Sequence, residues 1–252
     1  MAIPAGMLLG AVLGLLGGGG GLIAVPLFGA IFGWSIDDSG TASMACVLTG
    51  SAIAVIAQRA SGRVRWRIGV TYGVLGVVGA IAGSLLAFKV PDVFQHVGLA
   101  GLLTASGALM LRKASRLRRI GPTPVAVTAD LVRIDVRLIA AATGIGLVVG
   151  MFGISGGFLS VPALVTLVGL SVPEATATAL VVVMINSFVA ISARGTHIEH
   201  VAPTVVLAIS TAIGAIVGVA LSRRSSAVLL ATAFGSLMLA IAAWELHMAI
   251  SG

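Results

Sequence analysis

Long apolar runs, separated by short polar breaks, occupy almost the whole chain. They fall at about residues 3–33, 39–58, 68–90, 93–111, 136–170, 173–193, 201–221 and 226–249. Each run is close to or above the length of about 20 residues that an α-helix needs to cross the hydrocarbon core of a bilayer. The pattern therefore predicts an all-α, polytopic membrane protein with eight hydrophobic segments.

Two of these runs are too long for one straight span, and each contains a glycine-rich break. The first break is the run Gly17, Gly18, Gly19, Gly20 and Gly21, and the second contains Gly153, Ser155, Gly156 and Gly157. Aliphatic residues and a Val-Pro pair follow both breaks, at an offset of about 136 positions. Hydrophobic segments broken at corresponding positions of two halves indicate a transporter with its site near the bilayer midplane.

The duplication extends beyond the breaks. The stretch Gly79-Ala-Ile-Ala-Gly83 corresponds to Gly214-Ala-Ile-Val-Gly218, and Arg59 corresponds to Arg194. We therefore predict repeat one at 1–111, repeat two at 136–252, and a basic connector at 112–135 that forms a cytoplasmic loop. Each repeat is expected to contain the glycine-broken first segment and three transmembrane helices.

The orientation depends on whether the broken segments cross the membrane or fold back as re-entrant hairpins. If all eight segments cross, one face carries every Lys and Arg except Lys89, Arg223 and Arg224. If the broken segments are re-entrant, the two halves are inverted. One face of the membrane then carries every Lys and Arg except Lys89 and Arg194. The positive-inside rule separates these alternatives weakly. We favour the second, because inverted repeats with broken helices are a common transporter design.

Composition excludes several classes of protein. With 58% hydrophobic and 9% charged residues, the chain is not an ordinary soluble domain. The net charge of +7 comes from residues beside membrane segments, so we expect no nucleic-acid partner. Cys46 is the single cysteine, which excludes an internal disulfide, and we expect neither a metal site nor a cofactor. The opening residues lack a positive n-region, so no cleaved signal peptide is expected.

The candidate binding groups surround the breaks. A half-helix that begins near Leu22 or Phe158 presents free N–H groups and a positive dipole end, which suit an anion. Close helix crossing would use the same glycines. Polar side chains on the following helices could bind the solute or their own helix backbone; these are Thr41, Ser43, Thr178 and Asn186. Two arginines, Arg59 and Arg194, could bind the anion or anchor the helix ends at the membrane surface.

No carboxylate is expected at mid-membrane. We expect Asp37, Asp38 and Glu174 to be loop residues, and Glu245 and His247 are weak candidates for a proton carrier. The sequence Gly153-Ile-Ser155-Gly156 also resembles the nucleophile signature of rhomboid-type intramembrane proteases, but the four histidines lie near segment ends. A membrane assembly protein without transport activity is a third alternative.

The doubled pattern resembles the TauE/SafE sulfite exporter family. It consists of the glycine-rich break, aliphatic residues and Val-Pro, then Ser39-Gly-Thr41 or Thr176-Ala-Thr178, and later Gly-Ala-x-x-Gly. The resemblance implies a secondary carrier that exports a small sulfur-containing anion, such as sulfite or an organosulfonate, across the cytoplasmic (inner) membrane. The expected partners are that anion and the lipid bilayer, and assembly into a homo-oligomer is left open.

Overall fold

The protein is described by a computed structural model in which residues 1–87, 92–120, 136–151, 157–194 and 200–251 are placed. These residues form ten α-helices: α1 (Ala2–Leu16), α2 (Gly20–Phe32), α3 (Ile36–Gln58), α4 (Trp66–Ala87), α5 (Asp92–Ile120), α6 (Val136–Met151), α7 (Gly157–Thr166), α8 (Val172–Arg194), α9 (Val201–Arg224) and α10 (Ala227–Ser251). A short 3₁₀ helix, Arg59–Ser61, follows α3. The all-helical prediction is confirmed.

Helix length and hydropathy agree with a polytopic membrane protein. Five stretches within the placed helices α3, α4, α8, α9 and α10 are long and apolar enough to cross a bilayer. The stretches Ala2–Leu16, Ile23–Phe32 and Gly157–Thr166 are apolar but shorter. The two long broken runs thus supply the short helices, and five of the six unbroken runs supply the candidate spans; among the described residues, α5 from the run at 93–111 is not one of them.

The C-terminal turns of α5 extend into the region where we expected the connector loop. A loop was expected from residue 112, but α5 continues to Ile120. The side chains of Arg112, Lys113, Arg116, Arg118 and Arg119 therefore project from its last turns. The rest of the expected connector, residues 121–135, lies outside the described residues.

The first long run reverses direction at its glycines. Gly17 (φ 74°) and Gly19 (φ 86°) adopt the left-handed conformation, which side chains with a Cβ disfavour. The Gly17 N–H closes α1 by donating to the Leu13 carbonyl at 2.8 Å. The chain then returns, so that a Cβ on Gly20 would lie 3.2 Å from Leu13 Cβ and 3.4 Å from the Leu9 carbonyl oxygen. Helices α1 and α2 therefore form a helical hairpin rather than one bent span.

The second long run is divided at the corresponding place. Helix α6 ends at Met151 and α7 begins at Gly157, while residues 152–156 lie outside the described part of the chain. Ser160 of α7 lines the same cavity as Ala142 and Gly146 of α6. Helix α7 therefore returns beside α6.

Helices from opposite halves of the chain pack backbone against backbone. A Cβ on Gly10 of α1 would lie 2.7 Å from the Ala215 nitrogen of α9, and one on Gly214 would lie 2.9 Å from Met7 Cα. In the same way, a Cβ on Gly146 of α6 would lie 2.8 Å from Gly76 Cα of α4, and a Cβ on Gly79 of α4 would lie 2.8 Å from the Leu147 nitrogen of α6. The α1–α9 and α4–α6 contacts are therefore both too close to admit side chains at these glycines.

A third glycine contact joins α5 to α10. A Cβ on Gly107 would lie 3.0 Å from the Gly235 carbonyl oxygen, and one on Gly235 would lie 2.9 Å from the Gly107 carbonyl oxygen. Leu239 lies beside Gly107 and Leu111 beside Gly235. These two helices are therefore antiparallel, and each presents the same pattern to the other.

Each short helix contains a proline. Pro26 is the seventh residue of α2 and Pro162 the sixth of α7. Proline has no N–H, so the carbonyls of Leu22 and Phe158 lose the helical hydrogen bond that they would otherwise accept. Each short helix therefore has an interrupted hydrogen-bond ladder near its start.

We predict that Gly79→Ala lowers thermal stability, because the added methyl group would overlap the backbone of α6. Overpacking of a close contact typically costs about 1–3 kcal/mol. The matched control is Gly144→Ala, which lies on the partner helix with no atom within 4 Å of the new Cβ. Unfolding of the detergent-solubilised protein measures both. A Gly79→Ala protein as stable as wild type would contradict the close packing.

Candidate functional site

The tips of the two hairpins meet inside the bundle. A Cβ on Gly18 would lie 2.6 Å from the Gly157 carbonyl carbon, and both glycines are buried. Beside them, a Cβ on Gly17 would lie 2.8 Å from Thr176 Cα of α8. The two positions where the apolar helices are interrupted therefore touch each other, and the N-terminal ends of α2 and α7 lie close together.

Helices α3 and α10 surround the first tip. The buried Ser43 hydroxyl of α3 donates to the Gly21 carbonyl at 3.4 Å. Thr41, two residues earlier on α3, is partly buried and has its own polar interaction. A Cβ on Gly19 would meet only Leu237 and Met238 of α10, both at 3.7 Å. The first hairpin tip therefore packs tightly against Gly157 and α8, and more loosely against the flexible side chains of α10.

A small cavity, with room for about one water molecule, lies between α4, α6, α7 and α8. Most of its wall is made of small or aliphatic residues from α4 and α6. The polar part of the wall consists of Tyr72 from α4, Ser160 from α7 and Asn186 from α8. Three neutral hydrogen-bonding side chains thus converge beside the first turn of α7.

Two polar atoms of this cavity lack a hydrogen-bond partner among the described residues. They are the hydroxyl oxygen of Tyr72, whose side chain is 1% exposed, and the buried Oδ1 of Asn186. Ser160 is also buried but has a polar interaction. An unpaired buried polar group costs about 1–3 kcal/mol, so these two atoms are expected to be paired when the cavity is filled.

An ion pair joins the two halves of the chain at one end of the bundle. Arg65, just before α4, donates from Nε to Glu174 Oε1 of α8 at 3.1 Å, and its backbone N–H donates to the Thr178 hydroxyl at 3.1 Å. Ser171 donates to the other carboxylate oxygen of Glu174 at 2.7 Å. The Arg65 and Glu174 side chains are 27% and 17% exposed. Solvent therefore screens this pair only in part.

Further arginine contacts make this end of the bundle basic. The guanidinium of Arg63 donates to the carbonyls of Ser222 and Arg223, both at 3.4 Å. The guanidinium of Arg223 in turn donates to the Ala57 carbonyl and to Gln58 Oε1. We call this the basic end. It brings together the α3–α4 loop, the start of α8 and the end of α9.

The opposite end of the bundle carries an aromatic contact. Trp34, just before α3, stacks on His200, just before α9, with ring centroids 4.9 Å apart and planes 16° apart. Ser35 caps α3 by accepting the Asp38 N–H at 3.1 Å. At the start of α8, Ser171 and Glu174 have the same three-residue spacing as Ser35 and Asp38 at the start of α3, and they too are hydrogen-bonded to each other. Asp38 and Glu174 are therefore first-turn residues of helices, and their assignment to loops was wrong.

The residues predicted for the site have different fates. Asn186 lines the cavity, and Gly17 to Gly21, Gly157 and Ser43 lie at the hairpin tips. The hydroxyl of Thr178 is engaged at the basic end, and the exposed Arg59 lies at the end of α3. Gly153, Ser155, Gly156 and the side chain of Arg194 lie outside the described residues. Solute contact by any of these residues stays a prediction.

Sequence reasoning missed Tyr72 and Ser160. Tyr72 is the single tyrosine of the chain and lies in a glycine-rich helix, which is a signal that could have been used. Ser160 lies two residues before Pro162, and Ala24 lies two residues before Pro26. In the described part of the chain, no group of three His, Cys, Asp or Glu residues could hold a metal ion.

Comparison with known proteins gives one family across most of the chain. Residues 2–244 match the family "Sulfite exporter TauE/SafE". A "Probable membrane transporter protein" of Xylella fastidiosa (strain 9a5c) is 35% identical over 167 residues, which are 66% of this chain and 62% of that protein. The chain thus spans less than two thirds of the length of that relative. "Probable membrane transporter protein YdhB" of Bacillus subtilis (strain 168) is 26% identical over 178 residues, 70% of this chain and 71% of the relative. No solved structure matches.

We predict that reversing either charge of the ion pair, Arg65→Glu or Glu174→Arg, lowers the melting temperature, and that the double reversal restores part of the loss. Residues in direct contact typically show coupling energies of about 0.5–3 kcal/mol. The control is Arg116→Glu on the exposed face of α5. The coupling energy is obtained from the unfolding, in detergent, of wild type, the two single variants and the double variant. Strictly additive effects of the two reversals on the free energy of unfolding would rule out the ion pair.

Proposed function

The chain belongs to the TauE/SafE family, and we propose that it is a secondary carrier that exports a small sulfur-containing anion, such as sulfite or an organosulfonate, across the cytoplasmic membrane. The observation that carries the proposal is the meeting of Gly18 with Gly157 inside an apolar bundle. Irregular backbone at membrane depth is tolerated where it is buried in protein or lines a cavity. The family is one of transporters, so the protease alternative with Ser155 as nucleophile is not pursued.

We further propose that the chain consists of two repeats, α1–α5 and α6–α10. In this assignment α1 corresponds to α6, α4 to α9 and α5 to α10. The α1–α9 contact therefore corresponds to the α6–α4 contact, and the α5–α10 contact corresponds to itself. The glycine positions support this, because Gly10 against Thr211 and Gly146 against Gly76 lie at corresponding places. Each repeat then comprises one helical hairpin and three further helices.

The hairpins imply that the repeats are inverted in the membrane. A hairpin enters and leaves on the same side, so each repeat crosses the bilayer three times, and an odd number of crossings reverses the second repeat. The contacts of Arg63 and Arg65 with α8 and α9 at the basic end agree with this arrangement. By the positive-inside rule, the basic end faces the cytoplasm.

Alternating access would come from rocking one repeat against the other around the hairpin tips. The positive ends of α2 and α7 would attract the anion toward the centre. The Arg65–Glu174 pair would close the cytoplasmic side, and the Trp34–His200 stack would close the outer side. Each contact joins the two halves, so each must open when its side is accessible.

Transport is tested with purified protein in liposomes loaded with labelled sulfite. We expect saturable efflux with competition by substrate analogues, and we expect Gly20→Leu or Gly156→Leu to reduce it by about tenfold or more. At Gly20 a Cβ alone would lie 3.2 Å from Leu13 Cβ, so a leucine would crowd the first hairpin tip; Gly156 is the residue at the corresponding place in the second break. The matched control is Gly29→Ala on α2, where the nearest atom lies 3.9 Å from the new Cβ. Intact transport in both leucine variants would place the site elsewhere. An absence of flux for sulfite and organosulfonates would favour an assembly protein.

Orientation is tested by cysteine labelling. Cys46 is buried and gives a low background. Ser226→Cys and Val201→Cys place exposed thiols at opposite ends of α9. With an impermeant maleimide added to intact cells, we expect Val201→Cys to react and Ser226→Cys to react only after the cells are opened. Labelling of both from outside, or the reverse pattern, would contradict the proposed orientation.

A further inference from the structure

Helix α5 packs against the bundle along one face until close to its end. Leu103, Met110 and Ala114 are at most 3% exposed, and the half-buried Leu117 packs against the same apolar core. These residues follow one another at intervals of seven, four and three positions, which places them on one side of an α-helix. The bundle therefore supports α5 into the turns that carry its basic residues.

The opposite face of α5 is exposed and changes from apolar to basic. Its positions follow one another at intervals of three or four residues, and they are Gly101, Ala105, Leu109, Arg112, Arg116 and Arg119. Leu109 is 44% exposed, and a Cβ on Gly101 would meet no described atom within 4 Å. We call the first three residues the apolar strip and the last three the arginine stripe. The arginine stripe thus continues the apolar strip on the side that faces away from the bundle.

The register of α5 against α10 sets the position of the arginine stripe. Gly107 lies against Gly235, which is eight residues from the start of α10, whereas α5 continues for thirteen residues beyond Gly107. At a rise of about 1.5 Å per residue, α5 extends about 7 Å past the start of α10. Helix α10 starts three residues after Arg224, which ends α9 at the basic end. The arginine stripe therefore lies at the basic end, on the outside of the bundle.

The length of α5 places the arginine stripe at the level of the lipid headgroups. We take α5 as one of the three crossings of its repeat that are proposed above. Its 29 residues span about 43 Å, whereas the hydrocarbon core of a bilayer is about 30 Å thick. The apolar run at 93–111 is enough to cross that core. The turns from Arg112 onward therefore extend into the headgroup region.

The described residues offer the arginine stripe no carboxylate to pair with. Glu174 is the carboxylate that they place at the basic end, and it is paired with Arg65. Asp92 and Glu245 lie toward the far ends of α5 and α10. A guanidinium group forms charge-assisted hydrogen bonds with phosphate oxygens, often two at once. The lipid-facing side of α5 thus presents donors at the depth where the phosphate groups of phospholipids lie.

We propose that the arginine stripe binds the headgroups of anionic phospholipids in the cytoplasmic leaflet. A lipid whose acyl chains lie along Ala105 and Leu109 would bring its phosphate to Arg112 and Arg116, whereas a soluble anion would make no use of the apolar strip. The cytoplasmic leaflet carries a negative surface potential, which attracts clustered basic residues next to a membrane helix. This binding goes beyond the proposed carrier function and does not depend on which anion is carried.

The test is the melting temperature of the full-length protein in a neutral detergent with added phosphatidylglycerol or with phosphatidylcholine of the same acyl chains. We expect anionic phosphatidylglycerol to stabilise the protein at a concentration about tenfold or more below that of zwitterionic phosphatidylcholine. The difference is expected to shrink at about 1 M salt, where exposed charges are screened. Inorganic phosphate is the third addition, which distinguishes a lipid headgroup from a free anion.

Paired glutamine variants test the face of the helix. Arg112→Gln with Arg116→Gln is expected to raise the half-stabilising concentration of phosphatidylglycerol by about tenfold or more. The matched control, Lys113→Gln with Arg118→Gln, removes the same charge from the same turns but from the sides of the helix, and a change below about threefold is expected. The melting temperature without added lipid shows whether each variant is folded.

Equal stabilisation by phosphatidylglycerol and phosphatidylcholine would overturn the proposal, and so would equal losses in the two folded glutamine pairs. An effect of inorganic phosphate as large as that of phosphatidylglycerol would identify a soluble anion as the ligand and would also overturn it. All of these measurements are made without transport, so the carrier function stands or falls separately with the liposome assay.

Discussion

The structure depends on close approach of helix backbones where glycine removes the side chain. Lipid is as apolar as a leucine side chain, so helices in a bilayer associate through packing rather than through the hydrophobic effect. Here Gly10 and Gly214 allow α1 to lie directly on α9, and Gly79 and Gly146 do the same for α4 and α6. These contacts pack the short helices α1 and α6 against the longer helices α9 and α4.

The same contacts bring the interrupted backbone segments together. Since α1 and α6 are fixed along α9 and α4, their ends reach the interior of the bundle, where Gly18 touches Gly157. A Cβ at either position would push the tips apart. The glycine run thus has two roles, turning the chain through left-handed conformations at Gly17 and Gly19 and allowing the second tip to approach. Close packing, one of the two expected uses of these glycines, is therefore present at the tips, and solute binding there stays a prediction.

Much of the architecture could be predicted from the sequence, because hydropathy and paired glycine breaks report directly on membrane segments and their interruption. The site was harder to predict. Asn186 was identified as a polar residue on a membrane helix, but the cavity partners Tyr72 and Ser160 come from other elements, and only the packing of α4 against α6 brings them near. The Arg65–Glu174 pair was missed because it joins residues far apart in sequence at helix starts that were taken for loops. Thr178 looked like a solute ligand, but its hydroxyl accepts the Arg65 N–H.

The pairing of α1 with α9 has a consequence for biosynthesis. Gly6, Gly10 and Gly14 leave the ribosome long before their contacts on α9, such as Thr211, are synthesised. Until α9 is inserted, the first hairpin has no surface against which its glycine face can settle. The nascent chain must therefore hold this hairpin unassembled while α3 to α8 are synthesised, and assembly of the first half is completed only by the arrival of the second.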